Sequence, residues 1–158
     1  MRVREALESD AQAMSEVLEA LATAGIRQKR SDPGYALSHY IGHPDRLHCF
    51  VALDDEAKIL GFQSLKRAHE GNPYGTAPGW GIIGTHVRPS AARSGVGKAL
   101  FAATEAGARK AGLTAIEAYI GDRNSAALDY YEAMGFRTNR RSEGIICKLL
   151  RLTADPTA

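Results

Sequence analysis

The sequence predicts a mixed α/β domain in which a mostly antiparallel central sheet carries helices on both faces. Apolar residues alternate in some stretches and recur at helical spacing in others, in the order β, α, α, β, β, β, α, β, α, β, β. The 158 residues, of which 44% are hydrophobic, suffice for one domain with a sizeable core. We therefore expect residues 1–152 to form a single domain and the tail 153–158 to be disordered.

The first half of the chain is expected to form three strands and two helices. The strands are Arg2–Leu7, Leu47–Leu53 and Ile59–Leu65, and the helices run from a cap at Ser9 or Asp10 to Gly25 and from Tyr35 to Ile41. Met14, Leu18 and Leu21 recur at helical spacing, which predicts an apolar face on the first helix. The polar turn 54–58 joins the second and third strands as a hairpin.

The second half adds four strands and two helices after a loop, residues 66–79, that is rich in Gly and Pro. The strands are Trp80–Val87, Thr114–Ile120, Phe136–Asn139 and Glu143–Leu152, and the helices are Lys98–Ala111 and the segment from a cap at Asn124 or Ser125 to Met134. Gly112 and Gly135 end the two helices, because glycine readily adopts the left-handed conformation of a helix C-terminus.

Composition argues against several classes of function. Twenty Lys and Arg against 18 Asp and Glu leave a net charge of +2, which gives no reason to expect nucleic acid or a membrane as partner. The N-terminus lacks an apolar signal stretch and no apolar run approaches the ~20 residues of a membrane span, so we expect a cytoplasmic protein.

Cys49 and Cys147 lie in apolar strands, which predicts buried thiols. The histidines lack the spacing of a metal site, so we expect no metal.

The stretch Thr85–Leu100, T-H-V-R-P-S-A-A-R-S-G-V-G-K-A-L, carries the strongest functional signal. Pro89 ends a strand, and the small residues that follow form a turn before a helix. Backbone N–H groups at a helix N-terminus bind phosphate, and glycine lets a ligand approach the backbone. Two common phosphate loops do not fit: the Walker pattern requires Gly where Ala92 stands, and the dinucleotide fingerprint requires it at Leu100.

Two motifs occur in order, separated by a helix and a strand. The first, V-x-P followed by [QR]-x-x-G-x-[GA], is met at Val87, Pro89, Gly95 and Gly97, although Ala92 fills the [QR] slot. The second, N-x-x-A-x-x-x-Y-E-x-x-G-F, is met at Asn124–Phe136. Together they resemble the GCN5-related N-acetyltransferase family over roughly residues 1–150. The run Ala118–Asn124 looks most like phosphinothricin and amino-acid acetyltransferases.

The resemblance implies that acetyl-CoA binds along these motifs. The implied binding residues are His86, Val87, Arg88, Arg93, Ser94, Gly95, Val96, Gly97, Lys98, Asn124, Ala127 and Tyr131. The strand around His86 would pair its backbone with the amide-bearing arm of the cofactor, as an added strand does. Tyr131 stands at the family's tyrosine position, which implies a general acid for the departing thiolate. The alternative is a tyrosine that packs on the sheet, the role expected of Tyr130.

The general base and the acceptor pocket are less clearly marked. Family members resembling amino-acid acetyltransferases carry a glutamate where this chain has Ile82. His86 is a candidate base by its ordinary pKa, unless it faces the other side of the sheet. Glu117 is a second candidate, expected to face solvent, and a water chain is a third. Candidates for the acceptor pocket, which also suit a core, are Tyr35, His39, Tyr74 and Trp80.

The resemblance implies an N-acetyltransferase that acts on the primary amine of a small molecule, such as an amino acid or an analogue. One alternative is acetylation of a protein N-terminus or lysine. Another, of a different class, is a non-catalytic module that binds acyl-CoA. Tyr131 beside a complete cofactor loop favours the enzyme. The resemblance also suggests a homodimer.

Overall fold

A seven-stranded sheet forms the centre of the computed structural model, which describes residues 1–152. Its strands are β1 (Arg2–Glu5), β2 (Arg46–Leu53), β3 (Ile59–Arg67), β4 (Gly81–Val87), β5 (Ala115–Gly121), β6 (Arg137–Ser142) and β7 (Ile145–Arg151). They lie in the order β1-β2-β3-β4-β5-β7-β6, and each neighbouring pair is antiparallel except β4 and β5. The predicted mixed, mostly antiparallel sheet is confirmed. The predicted disordered tail, residues 153–158, lies outside the described residues.

Four α-helices cover the two faces of this sheet within the described part of the chain. They are α1 (Ala11–Thr23), α2 (Pro33–Ala36), which continues as a π-helical turn over Leu37–Ile41, α3 (Val96–Lys110) and α4 (Ser125–Ala133). One apolar core joins α1 and α2 to β2 and β3. Further apolar clusters join α3 and α4 to the opposite face. Helices on both faces therefore enclose the central strands, as the sequence predicts.

The apolar face of α1 packs as its spacing predicts. Its buried apolar side chains are Met14, Val17, Leu18 and Leu21. Gly25 follows the helix with a φ of 76°, a conformation that favours glycine. Asp10 precedes α1 as expected, but its side chain does not cap the helix. Its carboxylate accepts the Leu7 N–H at 2.7 Å and pairs with Arg4 at 2.8 Å, which fixes the turn between β1 and α1.

β3 is longer than the sequence predicts. Lys66 and Arg67, which the sequence assigns to the loop 66–79, pair with Ile82 and Gly81 of β4. The end of β3 is decided by the partner strand, so local composition does not reveal it. The extension matters because it places the Lys66 side chain on a sheet face.

Other element ends differ by a few residues from the predicted ones. β1 ends at Glu5 instead of Leu7, and α3 begins at Val96 instead of Lys98. The last strand begins at Ile145, because the preceding Gly144 has a φ of 73° and turns the chain between β6 and β7. These shifts leave the order of elements as predicted.

Cys49 and Cys147 are buried free thiols, as predicted. Burial raises the pKa of the Cys49 thiol to about 12, so this thiol stays protonated and unreactive. Within residues 1–152, no helix has the length and apolar character needed to cross a membrane.

Candidate active site

β4 and β5 separate part-way along their length and leave a cleft. They pair only where Gly81–Ile83 lies beside Ile116–Ala118. Beyond that point, Gly84–Val87 stays paired with β3 on one side, and no strand of residues 1–152 pairs with it on the other. We call the space between Gly84–Val87 and Tyr119–Gly121 the β4–β5 cleft. Its free strand edge offers N–H and C=O groups to an extended, amide-bearing ligand.

The loop that leads into α3 lies beside this cleft and presents unpaired donors. Arg93 (φ 61°) and Gly95 (φ 87°) both adopt left-handed conformations, which turn the chain sharply before the helix. Among the described residues, no backbone N–H from Arg93 to Lys98 has a hydrogen-bond partner. A Cβ added at Gly95 would meet no atom of the described part of the chain within 4 Å, its chain neighbours aside, so the loop is open to a ligand there. Free N–H groups at the positive end of a helix suit a diphosphate.

The side chains predicted to contact a cofactor at this loop have different surroundings. Arg88 is directed away from the loop: its Nε donates to the Ile59 carbonyl at 2.7 Å, and its guanidinium lies 3.5 Å from Glu16. Ser94 donates its hydroxyl hydrogen bond to the Ala91 carbonyl, and Val96 is buried. Arg93 and Lys98 are exposed, so theirs are the cationic side chains available at the loop.

Tyr131 lies on α4 with its hydroxyl directed at β4. The residue is 4% exposed, and its hydroxyl oxygen lies 2.7 Å from Thr85 Oγ1. Asn124 caps α4 as predicted, by accepting the Ala127 N–H at 3.1 Å, and this fixes the start of the helix. Burial raises the pKa of Tyr131 above its ordinary value, so the phenol stays protonated at neutral pH and can act as a donor.

A hydrogen-bond network that the sequence did not reveal connects Tyr131 to α3. Gln63 Nε2 donates to Thr85 Oγ1 at 2.9 Å and to the Tyr130 hydroxyl at 3.0 Å. Tyr130 in turn donates to the Gly97 carbonyl at 2.7 Å. A Cβ on Gly97 would lie 2.6 Å from the Tyr130 ring, so glycine is required for this packing. The only signal in the sequence is a glutamine inside an apolar strand.

His86 lies on the face of the sheet opposite to Tyr131. Its ring centre is 4.8 Å from that of Phe62 and 5.3 Å from that of Tyr40, whereas the adjacent Thr85 points to Tyr131. Burial lowers the pKa of His86 to about 3, so the imidazole is neutral and only weakly basic at pH 7. Both features weaken His86 as a candidate base.

Glu117 is buried, not solvent-facing as the sequence predicts. The residue is 1% exposed, and it accepts hydrogen bonds from Arg140 at 2.6 Å, from Thr76 at 2.9 Å and from Asn139 at 3.2 Å. Burial alone raises the pKa of Glu117, but these hydrogen bonds outweigh it and hold the pKa below its ordinary value. The carboxylate is therefore ionised and fully engaged, which suits a structural role better than that of a base.

A cavity of about 120 Å³, here called the small cavity, lies on the α1–α2 face of β3 and β4. Its lining residues are Arg27, Lys29, His39, Tyr40, Ser64, Lys66, Tyr74, Ile82, Ile83, Gly84, His86 and Tyr119. Of the predicted acceptor residues, His39 and Tyr74 line it, Tyr35 stacks on His39 with ring centres 4.7 Å apart, and Trp80 does not line it. Sequence reasoning missed its cationic residues, because they come from two separate segments, the loop after α1 and strand β3.

A larger cavity of about 470 Å³ lies at the start of α4. It is lined by Gly25, Ile26, Gln28, Gly121, Asp122, Arg123, Asn124, Ser125, Ala126 and Gly144. The Gly121 end of the β4–β5 cleft therefore opens into a space that also meets the loop after α1.

Comparisons with known proteins agree with this geometry. The profile of the family described as "Acetyltransferase (GNAT) family" matches residues 12–136. A mycothiol acetyltransferase of Saccharomonospora viridis is 33% identical over 91 residues, 56% of this chain, and the match spans only 29% of that relative's length.

Two solved structures share the whole fold. One is a protein assigned provisionally as a phosphinothricin N-acetyltransferase, with a TM-score of 0.78, 18% identity, and coverage of 97% of this chain and 99% of that chain. The other is yncA of Salmonella typhimurium, solved with its cofactor acetyl-CoA, with a TM-score of 0.75, 21% identity, and coverage of 98% and 95%. At these identities the likeness shows the fold alone.

Proposed function

The chain belongs to the GNAT acetyltransferase family, and we propose that it transfers an acetyl group from acetyl-CoA to the primary amine of a small molecule. One observation carries the proposal. The backbone N–H groups of Arg93 to Lys98 have no partner among the described residues, and they lie beside the free edge of β4. A ligand in which a diphosphate is joined to an amide-bearing arm fits this arrangement, because the loop can bind the diphosphate and the edge of β4 can pair with the arm.

The residues of the cleft have separate tasks in this reaction. When bound, acetyl-CoA supplies a thioester whose acetyl group an amine can accept. The N–H groups of Arg93 to Lys98 hold the diphosphate, and the free edge of Gly84–Val87 aligns the arm. Tyr131 holds a proton on its phenolic oxygen, which is directed to β4 by Thr85. That proton is available to the sulfur of the leaving group.

We infer that no side chain is an essential general base, because His86 is weakly basic and Glu117 is engaged with Arg140. His86→Ala is expected to lower kcat/KM by less than ~100-fold, below the upper part of the usual range for a lost base. Steady-state rates between pH 6 and 9 check this. A larger loss with unchanged affinity for coenzyme A identifies His86 as the base and overturns the inference.

The size of the small cavity favours a small acceptor over a protein one. Its volume of about 120 Å³ has room for a compact molecule, and buried or partly buried aromatic rings surround it. A peptide would require an open groove along a strand or between helices. The acceptor is therefore a small amine.

The function is tested by incubating the full chain with acetyl-CoA and a panel of small amines and short peptides. Release of the coenzyme A thiol and the mass of the product are followed together. An acetylated small amine supports the proposal. Acetylation of peptides alone favours a protein acetyltransferase, and tight binding of acetyl-CoA with no product from any amine favours a binding module.

A further inference from the structure

The small cavity has a charge pattern that acetyl transfer alone does not explain. Three of its lining side chains are cationic, namely Arg27, Lys29 and Lys66, and the ionisable groups among the rest are histidines and tyrosines. Neither Asp nor Glu lines this cavity in the described part of the chain. A wall of positive and neutral groups attracts an anion and repels the ammonium form of an amine.

Of the three cationic side chains, Lys66 gives the strongest evidence for an anion site. The residue is 6% exposed, and its Nζ lies 5.5 Å from the centre of the Tyr40 ring. It forms no salt bridge with any carboxylate of residues 1–152. Asp45, the acidic residue that acts on it most strongly, bonds the Nδ1 of His69 at 2.6 Å. A buried ammonium without a counter-ion is unfavourable, and a ligand anion would relieve that cost.

Burial and the positive charges around the small cavity also shift the pKa values of its ionisable side chains. Burial lowers the pKa of Lys66 to about 8, so most of this lysine remains protonated at neutral pH. Burial, and then the charges of Lys66, His43, Lys29 and Arg27, lower the pKa of His39 to about 4. The His39 ring is therefore neutral at pH 7 and free to donate or accept one hydrogen bond with a ligand.

The position of Lys66 connects the small cavity to the β4–β5 cleft. Lys66 lies opposite Ile82 in the β3–β4 ladder, and Ser64 lies opposite Gly84, where the cleft begins. Side chains directly opposite in an antiparallel pair share one face of the sheet. The Lys66–Ile82 pair therefore lies two residue pairs before Gly84, where β4 becomes free, and on the same face of the sheet as the Ser64–Gly84 pair.

We propose that the small cavity binds a carboxylate of the acceptor, with Lys66 as its counter-ion. The acceptor is then a small amine that also carries a carboxylate, as an amino acid does. The cavity volume of about 120 Å³ is roughly the volume of four water molecules in the liquid. The part of the acceptor that the cavity holds is therefore limited to a carboxylate and a short chain. The identity of the acceptor rests on the proposed function, whereas the anion site does not.

The kinetic test compares amino acids with their decarboxylated amines: alanine with ethylamine, phenylalanine with phenethylamine, and histidine with histamine. We expect kcat/KM of the wild type to favour the amino acid by roughly 10- to 150-fold, the effect of one charged hydrogen bond. Lys66→Met should reduce this preference to less than about threefold, and the loss should appear mainly as a higher KM for the amino acids. Lys66→Arg, which keeps the charge, should retain most of the preference. An equal preference in wild type and Lys66→Met contradicts the proposal.

A binding test on the wild type needs neither a variant nor turnover. Lysine side-chain resonances are followed by NMR against pH, in sodium acetate and in sodium chloride of equal ionic strength. Bound acetate should raise the pKa of Lys66 in a saturable way, because an opposite charge favours the ammonium form. The exposed Lys58 is the internal control. The same Lys66 titration in both salts overturns the anion site. A Lys66 response to acetate in a protein that acetylates no amine keeps the site and rejects the enzyme.

Discussion

Replacing Tyr131 with Phe is expected to lower kcat by roughly 10- to 1,000-fold while KM for acetyl-CoA changes little. The phenol is buried, remains protonated and lies 2.7 Å from Thr85 Oγ1, so it is held as a donor at the wall of the cleft. Phe keeps the ring and its packing against Phe136. The variant should therefore lose stabilisation of the transition state, which lowers the rate of the chemical step. Single-turnover measurements, which exclude product release, measure that rate.

Tyr130→Phe is the matched control, because it removes a hydroxyl from the next residue of the same helix. That hydroxyl bonds the Gly97 carbonyl at 2.7 Å and supports the first turn of α3. We expect Tyr130→Phe to alter thermal stability or cofactor affinity more than kcat. If Tyr131→Phe instead has a lower Tm with nearly wild-type kcat, then Tyr131 is a packing residue and its role as acid is wrong.

Gly95→Asp is expected to weaken coenzyme A binding by roughly 30-fold, about 2 kcal/mol, because it sets a carboxylate beside the diphosphate. The space around Gly95 is open, because no atom of the described residues other than its chain neighbours lies within 4 Å of an added Cβ, so the side chain need not disturb packing. Calorimetric titration with coenzyme A measures the effect. Raising the salt concentration should reduce it, since the repulsion is partly screened.

Gly95→Asn separates charge from backbone strain. Asn and Asp would both have to adopt the left-handed conformation of Gly95, with φ 87°, and both tolerate it better than most residues do. We expect Asn to weaken binding by less than about threefold at this position. Equal losses in the two variants would falsify the electrostatic explanation. Gly97 is unsuitable for this test, because its Cβ would contact the Tyr130 ring at 2.6 Å.

The fold could be predicted where local patterns decide the structure. The spacing of Met14, Leu18 and Leu21 predicts α1, and Asn124 predicts the start of α4, because helix faces and caps depend on nearby residues. The end of β3 could not be predicted. It depends on pairing with β4, and Lys66 and Arg67 show no strand pattern of their own.

The candidate site, like the fold, has parts that the sequence predicts and parts that it does not. The loop from Arg93 to Lys98 is continuous in sequence, so its donors could be predicted from its glycines and the following helix. Gln63, Thr85 and Tyr130 meet only after the sheet and α4 have formed, and their network could not be read from spacing. The side of the sheet that a polar residue faces, and the partner it finds there, are tertiary properties.

Amide hydrogen exchange tests the central claim most directly, namely that the α3 loop and the free edge of β4 hold the cofactor. The amides of Arg93 to Lys98 have no hydrogen-bond partner within residues 1–152, so they should exchange rapidly in the free protein. Saturating coenzyme A should slow several of them by about tenfold or more, together with amides of Gly84–Val87 that face the cleft. Coenzyme A that binds tightly and leaves the exchange of both segments unchanged would contradict the account.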